Sequence, residues 1–210
     1  MRRDPDRFLG DASGVIHVGA NTGQERDLYE RHRLKVVWIE PIPEVFERLK
    51  AHIAGHDRQR ALEGLVTDRD DASYQFHVAN NEGASSSILE LKMHTDIWPT
   101  VMYTKTITLQ SVTLASLFQR ARLDPAEYDA LILDTQGSEL LVLKGADPVL
   151  RGFKYIKTEV PDFESYAGCC QLADIDAFLA ARGYRELARH RFAGRAEGGS
   201  YYDVVYRRGD

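Results

Sequence analysis

Apolar positions along the chain change their spacing repeatedly, and each change marks an element boundary. Val15-Ile16-His17-Val18 is a short run closed by Gly19, the pattern of a buried strand. Residues 23–32 read as a helix, and Lys35–Glu40 as a second strand. Residues 43–54 carry Val45, Phe46, Leu49 and Ile53 at helical spacing, with Pro43 suited to a first turn. Residues 61–67 read as a third strand. This strand–helix–strand–helix–strand rhythm predicts a parallel sheet with helices on both faces. The rhythm loosens in the middle. Residues 74–79 alternate, Asn80-Asn81-Glu82-Gly83 is a turn, and residues 104–109 form another strand. It then resumes: Leu114–Ala121 as helix, residues 130–134 as strand, and residues 139–145 as a helix closed by glycine. Residues 155–160 and 173–182 follow as strand and helix, the latter ended by Gly183. Residues 184–192 and 201–206, joined through Gly198-Gly199, form an antiparallel hairpin. The expected fold is α/β, a doubly wound sheet finished by that hairpin.

The 210 residues suit one domain, since domains run to about 100–200 residues. A 43% hydrophobic content excludes wholesale disorder. No apolar run approaches the roughly 20 residues of a membrane span. The start, Met1-Arg2-Arg3-Asp4-Pro5-Asp6-Arg7, lacks the apolar core of a signal peptide. A net charge of -5 argues against non-specific nucleic-acid binding. Cys169 and Cys170 are adjacent, form no useful bridge and show no metal spacing, so a reduced, cytoplasmic setting is expected.

Candidate chemistry gathers at the first strand. Gly19-Ala20-Asn21-Thr22-Gly23 follows it and opens a helix, where glycine permits a tight turn and the helix start offers free N–H groups. In an open α/β sheet ligands sit beyond the carboxyl ends of the strands. Glu40 ends the second strand, about 20 residues after Gly19, where a carboxylate accepts both hydroxyls of a ribose. An adenosine-containing ligand is therefore expected. The loop is not Gly-x-Gly-x-x-Gly, and no Lys follows as in a phosphate-cradling loop. A ligand without pyrophosphate, such as S-adenosylmethionine, fits this short loop better than a dinucleotide.

These residues resemble the FkbM family of S-adenosylmethionine-dependent methyltransferases. The likeness rests on four stretches: His17 to Gly23; Glu40-Pro41-Ile42-Pro43 with Phe46 and Leu49; Ser85-Ser86-Ser87-Ile88-Leu89; and Leu131 to Glu139 running on to Ala146. Together they span roughly residues 14–183. The resemblance implies a Rossmann-like class I methyltransferase fold, a seven-stranded, mostly parallel sheet with an antiparallel C-terminal strand. It also implies methyl transfer, most often to a hydroxyl of a sugar, glycan or natural product. His17 departs from the pattern, because such folds usually place an acidic residue there.

Within that frame the expected cofactor-binding residues are His17, Gly19, Ala20, Asn21, Gly23, Glu40, Pro41, Asp68, Ser87 and Asp134. Each also has a structural reading: His17 as a core histidine, Asp68 as a solvated turn residue beside Asp70 and Asp71, the serines as a turn. Asp134 ends a central strand and is the first candidate for base or cofactor ligand, or an N-cap of the next helix. Glu159 ends the following strand and is the second catalytic candidate. Two carboxylates alone do not define a metal site, and none is expected. Glu139 suits the start of its helix. Residues 1–13 are an N-terminal extension, and residues 80–103 a substrate- or lid-like insertion holding His94, Trp98 and Tyr103. Arg185, Arg189, Arg191 and Arg195 make the hairpin basic, which allows an anionic or carrier-linked acceptor. The shortness of the chain leaves the acceptor site shallow, or completed by a second subunit in a homodimer. Two alternatives remain at this point: a nicotinamide-dependent oxidoreductase, and a non-catalytic scaffold that binds no cofactor.

Overall fold

A computed structural model describes residues 5–209. Residues 1–4, part of the expected N-terminal extension, lie outside the described residues. The elements in chain order are β1 (Gly14–Val18), α1 (Arg26–Arg31), β2 (Lys35–Glu40), α2 (Pro43–His52), β3 (Gln59–Glu63), β4 (Leu65–Val66), β5 (Ser73–Ala79) and β6 (Tyr103–Val112). They continue with α3 (Leu114–Ala121), β7 (Ala130–Leu133), α4 (Glu139–Leu150), β8 (Tyr155–Pro161), α5 (Leu172–Ala180), β9 (Tyr184–Gly194) and β10 (Ser200–Arg208). Seven strands form one sheet in the order β3-β2-β1-β7-β8-β10-β9. β10 pairs antiparallel with both β8 and β9, so it alone runs against the rest. The chain order reverses between β1 and β7, the switch point where such sheets open a crevice.

Strand alternation splits the core into two layers. Ile16 and Val18 face α3, α4 and α5, where they meet Leu117, Phe118, Val142, Leu143 and Ile175. Val15 faces the other way, toward Trp38, Tyr29, Phe46 and Leu49. Phe8 and Leu9, in a 3-10 turn spanning Arg7–Asp11, join that second layer. Each such side chain contributes about 1.5–3 kcal/mol on full burial.

Three expectations are corrected. The strand expected at residues 61–67 divides at Gly64. β3 pairs with β2, and the chain then leaves the main sheet, so that β4 pairs in parallel with β6. A continuous apolar run marks burial but does not name its partner. β4, β6 and β5 form a separate three-stranded sheet, packed over a third apolar cluster of Ile42, Val45, Leu65, Phe76 and Val78. The helix expected from residue 23 begins at Arg26, because Gly23 is left-handed at φ 76.

The helix expected to close at Gly145 instead continues to Leu150. That glycine serves a close approach. A Cβ added there would lie 2.0 Å from the Thr67 carbonyl oxygen, just past β4. Gly145→Ala gains up to about 1 kcal/mol of helix propensity but overpacks the contact, which costs typically 1–3 kcal/mol. The expected result is a lower midpoint in thermal unfolding, by roughly 2–4 °C per kcal/mol lost. An unchanged or raised midpoint would show that the contact is soft.

Candidate functional site

At the switch point a cleft of about 720 Å³, its open mouth included, runs along the carboxyl ends of β1 and β2. Its size is that of a small-ligand pocket. Gly19 holds the β1 end tight against β7: its φ is 82, and an added Cβ would lie 1.8 Å from the Asp134 carbonyl oxygen. The turn continues through left-handed Asn21, whose side-chain oxygen accepts from the Thr22 N–H at 2.7 Å. Across the cleft Glu40 is buried, 4% exposed. One of its oxygens accepts from the Asn21 N–H and the other from the Ile42 N–H, each at 2.9 Å. Burial pushes its carboxyl up to about 7 despite those two donors. Ile42 is the N-cap residue of α2, so a single carboxylate ties the glycine turn to the start of that helix.

The facing wall is apolar, formed by Leu65, Val66 and Phe76, and Gly83, Ala84 and Ser86 contribute to the rim. The floor is the loop after β7, with Asp134, Thr135, Gln136 and Ser138. Among the described residues the buried Thr135 hydroxyl has no hydrogen-bond partner. A buried polar atom is usually satisfied, so an unpaired hydroxyl on a residue that lines the cleft is a place for a ligand group.

A second cavity adjoins the first and shares His17, Glu25 and Asp134 with it. Its other polar walls are Asp6, Tyr29, Lys157, Glu159 and Asp203. Lys157 bridges Asp6 at 2.7 Å and approaches Asp203 at 3.8 Å. Burial works against the Lys157 charge, yet Asp203 and Asp6 lift its pKa above the ordinary value. Burial, reinforced by mutual repulsion, raises both Asp134 and Glu159 above the usual carboxylate range. Each therefore keeps its proton to a higher pH than an ordinary carboxyl. His17 is buried, 3.0 Å from the Tyr29 hydroxyl through Nδ1 and stacked on Trp38. Burial lowers its pKa, so the ring is neutral.

The structure brings His17, Gly19, Ala20, Asn21, Glu40, Pro41 and Asp134 together on the first cleft. Glu159 lies in the second cavity. Three expected cofactor residues do not line the cleft. Gly23 packs toward Leu49. Ser87 is fully buried, and its hydroxyl donates to the Gln136 carbonyl at 2.8 Å, so it shapes the floor from behind. Asp68 turns both oxygens to the Arg69 guanidinium at 3.2 Å, because the chain has left the main sheet by then. The N-cap reading of Asp134 is also corrected. Ser138 takes the N-cap position of α4, and the Glu139 carboxylate accepts from the Thr135 and Gly137 N–H groups.

Several site residues escaped the sequence reading. Leu65, Val66 and Phe76 read only as strand residues. Glu25 and Lys157 carried no motif. Asp203 reaches the cavity because β10 sets it opposite Glu159. Three of the four hairpin arginines are engaged elsewhere, Arg189 with Asp176 and Glu186, Arg191 with Ser200, and Arg195 with Asp96. Among the described residues no helix is long and apolar enough to cross a membrane.

A seven-stranded sheet with one reversed strand beside its edge, opened at the switch point by a glycine turn facing a strand-end carboxylate, defines the class I S-adenosylmethionine-dependent methyltransferases. The family model described as the methyltransferase FkbM domain matches residues 17–186. The chain belongs to the FkbM methyltransferase family, and its methyl donor is S-adenosylmethionine. No curated protein matches it significantly. Among solved structures it is similar to Sp1610 of Streptococcus pneumoniae, a candidate tRNA (m1A22) methyltransferase in complex with S-adenosyl-L-methionine. That likeness has 11% identity and a TM-score of 0.55, covering 100% of this chain and 74% of that one. It is also similar to the B. subtilis M1A22 tRNA methyltransferase TrmK, with 11% identity and a TM-score of 0.53, covering 98% of this chain and 64% of that one. At such identities the likeness is one of fold.

Proposed function

We propose that this methyltransferase acts on oxygen, methylating a hydroxyl of a sugar, glycan or natural product, with cofactor and acceptor in the two adjoining cavities. The observation that carries this reading is the shared wall: Asp134 and His17 border both cavities, with Glu40 on one side and Glu159 and Asp203 on the other. The cleft residues fit the cofactor. Glu40 would accept the ribose hydroxyls, Leu65, Val66 and Phe76 would cover the adenine, and Thr135 and the residue 19–21 turn would face the amino-acid end. When bound, S-adenosylmethionine supplies an electrophilic methyl group on a positively charged sulfur.

The rest falls to the protein. Asp134, its carboxyl pushed up to about 7 by burial, is partly ionised near neutral pH and in that form would take the proton of an acceptor hydroxyl. Asp203 and Lys157 offer an acceptor and a donor to neighbouring hydroxyls, which fixes the reacting oxygen in line; positioning of this kind supplies several kcal/mol of a displacement barrier. Residues 80–103 cover the cleft rim through Gly83, Ala84 and Ser86 and are the proposed lid-like insertion on a single domain.

The test is calorimetric titration with S-adenosylmethionine, S-adenosylhomocysteine and NAD, followed by incubation with a panel of sugars, amines and thiols and product mass analysis. Binding of both sulfur ligands and gain of one methyl group on a hydroxyl acceptor is the expected result. Methylation confined to nitrogen or sulfur acceptors would overturn the oxygen assignment.

A further inference from the structure

Gln136 lies between β7 and α4 in the left-handed region, at φ 53. Its backbone carbonyl accepts from the Ser87 hydroxyl at 2.8 Å. Its side-chain amide donates to Asp134 Oδ1 at 2.6 Å and also reaches the Glu159 carboxylate. The carbonyl end of the same amide accepts from the Tyr166 hydroxyl at 2.6 Å. Tyr166 comes from the loop after β8, is fully buried, and packs beside the His94 ring.

An amide has one donating and one accepting end, and its last torsion turns easily. The two carboxyls alone do not hold it, because a protonated carboxyl can donate to the amide oxygen after a half-turn. A donor fixed behind it removes that freedom. The Tyr166 hydroxyl is such a donor: its proton has the Gln136 oxygen at 2.6 Å against the Ser85 carbonyl at 3.4 Å, and burial drives its own ionisation far out of reach. Every other charged neighbour is placed differently. Glu139 on α4, Glu25 ahead of α1 and Asp203 on β10 disfavour a negative charge on the pair. Lys157 on β8 and Asp6 lie across the second cavity, and His17 on β1 is neutral. His94 of the 80–103 segment, its pKa lowered to about 4 by burial, is neutral and engages the Ser85 and Tyr201 hydroxyls.

We infer that Tyr166 is a positioning residue: it pins the Gln136 amide with its N–H groups toward Asp134 and Glu159, and so keeps one of that pair available as an anion. The role is mechanistic only if the pair supplies the base, and in that respect it rests on the oxygen-methylation reading above.

The variants are Tyr166→Phe and Gln136→Leu, singly and together, in the full chain. The first readout needs no substrate: the pH titration of the Asp134 side-chain carboxyl carbon by NMR, assigned by its loss in Asp134→Asn. Each single variant is expected to move the titration midpoint upward by about one pH unit, a tenfold change in the ionised fraction. The double variant should move it no further than Gln136→Leu alone, because the two act in series. The second readout is the pH profile of kcat/KM. Its acidic limb should move upward with the titration, and the rate should recover at alkaline pH. An unmoved titration, additive shifts in the double variant, or a uniform loss of rate at every pH would overturn the role. If the titration moves but the wild-type chain methylates no hydroxyl, the pinning stands and the oxygen reading falls.

Discussion

Glu40→Ala is expected to weaken S-adenosylmethionine binding at least tenfold, read as Kd by calorimetry at mildly alkaline pH. Hydrogen bonds to a charged partner contribute about 1.5–3 kcal/mol each, and a tenfold change is only about 1.4 kcal/mol. A second loss adds to this. The carboxylate holds the Asn21 and Ile42 N–H groups, so alanine also releases the turn and the α2 start that frame the cleft. The affinity should depend on pH with a definite sign. The Glu40 carboxyl in the ligand-free cleft is pushed up to about 7, and ribose hydroxyls favour its ionised form. Binding should therefore weaken as pH falls below about 7, up to tenfold per unit. The alanine variant should lose that part of the dependence. On the stability side the sign is opposite. The folded chain binds this proton more tightly than the unfolded one, so Glu40 makes the ligand-free protein less stable as pH rises from the ordinary carboxylate range through about 7. Unchanged affinity in Glu40→Ala would remove the residue from the cofactor site.

Asp134→Asn should cut turnover by about 10²–10⁴, the usual contribution of a positioned acid or base, while leaving cofactor affinity far less changed. The substitution is nearly isosteric. The new amide oxygen still accepts from the Gln136 side chain, and the contact between Gly19 and the residue 134 carbonyl is a backbone feature that survives. What disappears is the carboxylate that would take the acceptor's proton. Single-turnover rates with saturating cofactor separate chemistry from binding. Normal turnover in this variant would pass the role of base to Glu159 or to another group.

Much of the sheet was legible in the sequence because its strands are short, apolar and bounded by glycine or by polar turns. The elements β1, β2, β7 and β8 sit where the pattern placed them, within a residue of each end. The first cleft was legible in part, since Gly19, Asn21 and Glu40, singled out by their spacing, line it together. The pattern failed where pairing rather than burial decides the structure. Nothing local tells Leu65 to leave β2 for Ser111 of β6. Nothing local tells that Gly145 serves a neighbour's carbonyl rather than its own helix end. The second cavity was the least legible part, because Asp6, Glu25, Lys157 and Asp203 meet only through the register of distant strands and the entry of the chain.

The reversed strand has a consequence in time. The elements around Glu40, from β1 to α2, are neighbours in sequence as well as in space, so they need only short loops to close. The second cavity is different. Asp203 reaches Glu159 only when β10 slides between β8 and β9, after most of the chain has already emerged from the ribosome. Until then β8 and β9 present open edges to each other and to solvent. Such long-range closure is intrinsically slow. The strands that lead to Gly19 and Glu40 thus close over short loops, whereas the second cavity waits for β10.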